Sequence, residues 1–374
     1  MKKVNKPVPT GEYAVGTFTY TVKDVREEAM KPGTMRSVAA RVYYPVLKAD
    51  AEGLSKSRYM SENMAKGLQK TFKVPMNYKK AEEEGDNLSE CYTDAKHVPD
   101  RKFPLIVFSA GYSSFREGNS FLCIEMASHG YAVICVDHSM EAVCSEFDDG
   151  SFLYYNNKIK QMEPFLGGLI ASIKLIKLKG SNEELWEAFD AYQKKYRAFL
   201  MGRLEEWTGD TDAAIGYAKE NFKDFIDFEK GIGASGHSFG GNAAYALCAR
   251  NPEYVCGVNI DGGLFGNYGD EILKVPFLQI SCNDNENVVN RVYLRHTETV
   301  YKALFKDMKH MGFSDMKYTI PMKSVSGKLD ANLMHENLCK CHLEFFDAYL
   351  KGIKEAPDFK NNDVVTFTEY APDM

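Results

Sequence analysis

The chain has 374 residues, 44% hydrophobic and 26% charged, and its 46 Lys plus Arg against 52 Asp plus Glu give a formal charge of −6. That balance excludes a disordered, collagen-like or coiled-coil protein, and a mildly acidic chain without a basic block is a poor partner for nucleic acid. Nine cysteines, Cys91, Cys123, Cys135, Cys144, Cys248, Cys256, Cys282, Cys339 and Cys341, are an odd number scattered along the chain. They read as thiols of a reducing, cytoplasmic setting rather than a disulfide framework. No apolar stretch follows Lys2 and Lys3, so a signal peptide is not expected, and no run is long enough to span a bilayer.

The first strands are expected at Tyr13–Val22 and Ser37–Val46, both rich in Thr, Tyr, Phe and Val. Residues 47–103 read as a polar insertion, with a helix over Ser57–Phe72 and then the charged loop AEEEGDNLSE. From Pro104 the texture changes. PLIVFSAG (104–111) and YAVICVD (131–137) are continuous apolar runs, as in strands covered on both faces, with a helix between them over Phe121–His129. Residues 232–236, 255–261, 276–281 and 316–322 supply further strands, with helices over 242–250 and 286–311. Strands alternating with helices predict one α/β domain over 1–374, built on a mostly parallel sheet with helices on its faces.

Residues 157–225 break this rhythm with helical patterning alone. Phe165, Leu166, Leu169, Ile170, Ile173 and Ile176 recur at helical spacing, and Gly180 ends that helix. Ser181 and Glu184 fit a capping box, followed by a second stripe of Leu185, Trp186, Phe189, Tyr192, Tyr196 and Phe199. The insertion reads equally as a lid over a site or as helices packed on the sheet. Lys174, Lys177 and Lys179 beside the first stripe fit contact with a membrane surface, and equally lysines snorkelling along a packed helix.

The strongest chemical signal is Gly236-His237-Ser238-Phe239-Gly240, with a strand before it and a helix after it. A strand-to-helix turn this sharp needs glycine two places before and two places after the serine, and it lifts Ser238 clear of the sheet as a nucleophile. A serine hydroxyl needs a base to take its proton. His335 is the first choice, in a loop after the expected last strand, and His310 is the second. His237, beside the serine on a tight turn, is expected to point away as a packed or supporting group. For the acid, Asp261 and Asp284 both end sheet strands, and the residues alone leave them open. Cys339-x-Cys341-His342 lacks a second ligand pair, so neither a metal nor a cofactor is expected.

FSAGYSSFREGNSFLCIEMASHGYAVICVDHS (108–139), FDDGSFLYY (147–155), GHSFGG (236–241), CGVNIDGGLFG (256–266) and His335-Glu336-Asn337 occur in this order. In these tracts the chain resembles the plasma-type and intracellular type II platelet-activating factor acetylhydrolases and their bacterial dienelactone-hydrolase-like relatives. The resemblance implies an α/β-hydrolase fold and a serine esterase for short acyl esters, acetylated or oxidised phospholipids included. It implies a Ser238–Asp261–His335 triad, with the backbone amides of Tyr112 and Phe239 as oxyanion hole. Two departures, Ala110 where the family usually has histidine and Gly262-Gly263-Leu264 after the acid, touch the rim of the substrate site. The competing readings are a non-catalytic scaffold that binds a lipid or protein, and an amidase or peptidase using the same triad.

Overall fold

Apolar runs separated by helix-forming segments fold here into a mixed α/β arrangement whose large, mostly parallel sheet is flanked by helices. The computed structural model describes residues 6–73, 76–161, 165–319 and 322–372. Two units are distinguished, one of residues 1–156 and 209–231 and the other of residues 157–208 and 232–374.

In the first unit, β1 (Ala14–Glu27) and β2 (Met35–Val46) form a long antiparallel hairpin. β3 (Lys56–Arg58), β4 (Leu88–Thr93), β5 (Phe103–Ser109) and β6 (Ala132–Val136) complete the order β5-β6-β2-β1-β4-β3. β7 (Cys144–Glu146) and β8 (Phe152–Tyr154) make a separate small hairpin. Every residue of β5 and β6 is buried, as a strand covered on both faces requires. The helices are α1 (Lys48–Ala51), α2 (Glu62–Phe72), α3 (Tyr78–Glu83) and α4 (Ser120–Ser128).

The expected helix over Ser57–Phe72 is shorter than its pattern, because residues 56–58 pair as β3 and Ser61 caps α2 by accepting from the Met64 amide at 3.0 Å. The charged stretch after it is ordered as the end of α3, a turn and the start of β4.

The second unit holds the inserted helices α5 (Phe165–Ile176) and α6 (Asn182–Tyr196), while α7 (Ala198–Asn221) and β9 (Ile226–His237) continue across the division. The capping box forms as expected: Ser181 Oγ accepts from the Glu184 amide, and Glu184 Oε2 accepts from the Ser181 amide. Phe189 and Tyr192 of α6 pack with Leu175 of α5, and Phe265 and Val288 close over them. Asn287 Nδ2 caps the end of α5 by donating to the carbonyls of Leu175, Ile176 and Leu178. The expected stripe on α5 is not a core face: Leu169, Ile170, Ile173 and Ile176 are exposed, while the Phe165 and Leu166 side chains lie outside those described.

α8 (Phe239–Arg250) follows β9, and β10 (Tyr254–Ile260), β11 (Phe277–Cys282) and β12 (Val300–Phe305) follow in parallel. The remaining helices are α9 (Met316–Thr319), α10 (Lys323–Ser326) and α11 (Ala331–Tyr349). β13 (Val365–Tyr370), antiparallel to β12, is an edge strand the sequence pattern does not announce. Two expectations are overturned here. Residues 286–311 are not one helix but short 3₁₀ turns followed by β12, and residues 316–322 do not form a strand, since Met316–Thr319 is helical. Residues 320–321 lie outside those described.

Candidate active site

Four consecutive parallel strands of the second unit end side by side, and the side chains of interest sit just past those ends. Ser238 follows β9, Asp261 follows β10, residues 283–288 follow β11, and His310 comes five residues after β12. The carboxyl edge of an open parallel sheet is where loops gather and ligands bind.

Ser238 adopts φ 57° and ψ −127°, a conformation that a non-glycine residue holds only where its surroundings enforce it. The enforcement is visible. The Ser238 amide donates to the Ile260 carbonyl at 2.8 Å, and its own carbonyl accepts from the amides of Gly241 and Asn242 at the start of α8. A β-carbon on Gly241 would lie 1.9 Å from Asn259 Oδ1, and one on Gly262 would lie 2.0 Å from the Ser238 carbonyl oxygen. Both positions are therefore held to glycine by close approach rather than by torsion.

Asp261 also has positive φ, 57°, in a turn clamped by Asn259. Asn259 Oδ1 accepts from the Gly262 amide at 2.9 Å, and its Nδ2 donates to the Gly262 carbonyl at 2.7 Å. The Asp261 carboxylate is fully buried, so each oxygen needs partners. Oδ1 accepts from the Cys282 amide at 2.7 Å. Oδ2 accepts from Asn285 Nδ2 and from His310 Nδ1, both at 2.7 Å, and from the Cys282 thiol at 3.4 Å. Burial, then the neighbouring Asp261, push the Cys282 thiol well up, so it stays protonated and able to donate.

A carboxylate only accepts, which places the His310 proton on Nδ1 and leaves the Nε2 lone pair toward Ser238 Oγ, 2.8 Å away. The imidazole is one-third exposed, while the acid behind it is sealed. The chain of hydrogen bonds runs Ser238–His310–Asp261 without a gap.

His335, the expected base, is elsewhere. It lies on α11, whose N-terminus is capped by Asp330, and its ring contacts Cys339 Sγ and the edge of Tyr318. The reason is the strand correction. The rule that the histidine follows the last parallel strand holds, but that strand is β12, and the loop after it carries His310. Asp284 is also set aside, since it pairs with Lys309 with both side chains more than two-fifths exposed. His237 is buried, with its ring 4.8 Å from that of His310. Gly236 and Gly240 flank the serine as the motif requires, and Phe239 opens α8 with its ring against the edge of Trp207 at 4.8 Å. Tyr112 belongs to the first unit, just after β5, with its ring 6.1 Å from that of Tyr155. Asn285 and Cys282 were not anticipated. The signal for Asn285 in the sequence is an amide side chain in the loop NDNE, next to Asp284.

The family model described as platelet-activating factor acetylhydrolase, isoform II, matches residues 1–366. The chain is 26% identical over 273 residues to the platelet-activating factor acetylhydrolase of Cavia porcellus, covering 67% of this chain and 58% of that one. It is 22% identical over 230 residues to a probable 1-alkyl-2-acetylglycerophosphocholine esterase of Arthroderma benhamiae, covering 60% of this chain and 47% of that one. The match thus spans less than two thirds of either relative. A ferulic acid esterase from Streptomyces cinnamoneus superposes with a TM-score of 0.69 at 21% identity, covering 96% of this chain and 98% of that one. The shared architecture is the α/β-hydrolase fold.

Proposed function

The chain belongs to the platelet-activating factor acetylhydrolase isoform II family, and on that footing we propose that it is a serine hydrolase of carboxylic esters. The observation that carries the reading is the unbroken hydrogen-bond chain from Ser238 through His310 to Asp261. His310 Nε2 takes the Ser238 proton as Oγ attacks the acyl carbonyl. Asp261 holds the Nδ1 proton in place and supports the imidazolium without accepting that proton. The first-turn amide of Phe239 stabilises the oxyanion, a donor of this kind contributing about 10²–10³-fold. His310 then protonates the departing alcohol, and water repeats the sequence on the acyl-enzyme.

Short acyl groups, acetylated or oxidised phospholipids among them, are the proposed substrates, supported by the acetylhydrolase and acetylglycerophosphocholine esterase names of the relatives. Replacing Ser238 with Ala is expected to reduce hydrolysis of a short p-nitrophenyl ester by about 10⁶-fold. An unchanged rate refutes the reading in favour of a non-catalytic scaffold.

Contact with a lipid surface belongs to the same proposal. Leu169, Ile170, Ile173, Ile176 and Leu178 are exposed on and after α5, beside the exposed Lys174, Lys177 and Lys179. An apolar face rimmed with lysine suits an anionic interface. No helix among the described residues is long and apolar enough to cross a membrane. Sedimentation with anionic but not zwitterionic vesicles, lost in Ile173→Glu, is the expected result, and equal recovery of the two proteins contradicts it. Nine buried thiols support the further placement in a reducing compartment.

A further inference from the structure

His310 opens a short 3₁₀ turn, His310–Phe313, five residues past β12, and a base carried there must be held closely to serve a serine. Part of the hold is backbone pairing: the Asp307 carbonyl accepts from the amides of Lys328 and Leu329, and the Gly312 amide donates to the Lys309 carbonyl. None of these bonds reaches His310 itself. Asp261 and Ser238 hold its ring, and a side-chain contact to its backbone comes from the nucleophile's own strand. His237, the last residue of β9, places its Nε2 3.0 Å from the His310 backbone carbonyl, and the two rings lie 4.8 Å apart at 30°.

We infer that His237 is a positioning residue: its Nε2–H holds the His310 carbonyl and so fixes the base relative to the serine one residue along. The inference rests on the proposed ester hydrolysis for its kinetic test but not for its structural one. A carbonyl only accepts, so Nε2 must carry the proton. A neutral ring has just one proton, and Nδ1 is then bare. His237 is 2% exposed, and burial, reinforced by the neighbouring His310, lowers its pKa to about 3. The His310 ring and carbonyl lie against it, and the neutral form lets it sit beside an imidazolium as His310 takes up the serine proton. A fixed cation at 237 would oppose that step.

Two positions are tied by one side chain. Ser238 follows His237 in the chain and the His310 backbone accepts its hydrogen bond, so this strut adds a backbone hold to the bonds that Asp261 and Ser238 make to the His310 ring. A misplacement of about 1 Å costs on the order of 10²-fold in rate. Because the strut touches no substrate, its loss falls on kcat rather than KM.

The test uses three variants of the full chain. In Gln, the amide nitrogen stands the same number of bonds from the backbone as Nε2 of histidine and can donate to the same carbonyl. In Asn, the nitrogen falls short at the Nδ1 place, and Leu has no donor. With a short p-nitrophenyl ester, His237→Gln is expected to retain kcat within about 5-fold, whereas His237→Asn and His237→Leu lose about 10–100-fold, with KM in all three within about 3-fold. Equal losses in Gln and Leu, or none in Leu, overturn the inference. Nitrogen-15 NMR of the histidine rings gives a readout that needs no turnover. His237 is expected to show a protonated Nε2 and a bare Nδ1 at neutral pH, and the His310 Nδ1–H signal should broaden or shift in His237→Leu but not in His237→Gln. A bare Nε2 on His237 overturns the inference whatever the kinetics. Absence of hydrolysis in the wild type, with the NMR result as expected, counts against ester hydrolysis and leaves the strut standing.

Discussion

Asn285 donates its side-chain amide to the same oxygen of Asp261 that His310 uses, each at 2.7 Å. The carboxylate is fully buried, so this amide is one of the few groups that can offset its charge. Removing one partner of a buried charged hydrogen bond costs about 1.5–3 kcal/mol. Asn285→Ala is therefore expected to lower kcat by about 10–100-fold with little change in KM. Asn285→Asp should be worse, since a second carboxylate beside Asp261 would favour protonating one of them. Steady-state kinetics of the two variants checks the order, and an Asn285→Ala enzyme with wild-type kcat contradicts it.

Acid should weaken the fold through two buried histidines. Burial lowers His237 to about 3 and His342 to about 4, from an ordinary 6.5. Above 6.5 neither ring is charged in either state, and stability does not change on their account. As pH falls below 6.5 the unfolded chain binds protons that the folded one refuses, so stability drops until the folded values near 4 and 3 are reached. Each ring contributes a slope of about 1.4 kcal/mol per pH unit in that window. Urea unfolding at about pH 7, 6 and 5 is expected to show the fall, and His342→Gln should flatten it by about one proton's worth. Stability that is level across this range contradicts the assignment of both rings as neutral.

Lys309 is next to the base, yet its partner Asp284 is a surface group. Their ion pair is more than two-fifths exposed on both sides, and such pairs are worth about 0–1 kcal/mol. Asp284→Asn is expected to keep kcat within about 2-fold and stability within about 1 kcal/mol, as measured by the same assay and by urea unfolding. A loss comparable to that of an Asp261 variant would return Asp284 to the candidates for the acid.

Much of the site was legible in the chain because its parts are local. The elbow needs glycine at 236 and 240 for steric reasons that hold in any sequence, and Asp261 stands between an apolar strand and two glycines. The base was not legible in the same way. β12 reads VYKALF, and Lys302, Ala303 and Leu304 are good helix formers, so the strand hides inside a helical pattern. What makes it a strand is tertiary: it pairs with β11 on one side and β13 on the other, and Lys302 finds Glu286 instead of a neighbour one helical turn away. The run MKYTIPM misleads in the opposite direction, since its aromatic and β-branched residues suggest a strand where the chain turns through α9. One strand shifted along the sequence was enough to move the base from His310 to His335. Asn285 and His237 act through contacts between distant segments, and nothing in their own neighbourhoods states the partner.

The most direct measurement is covalent labelling of Ser238 by a fluorophosphonate together with ester turnover, compared between His310→Ala and His335→Ala. His310 bridges Ser238 and Asp261, while His335 touches Cys339 on its own helix. The account predicts that His310→Ala loses about 10⁶-fold in turnover and labels barely at all, while His335→Ala stays within about 3-fold of the wild type. Full labelling of His310→Ala, or a collapse confined to His335→Ala, would contradict it.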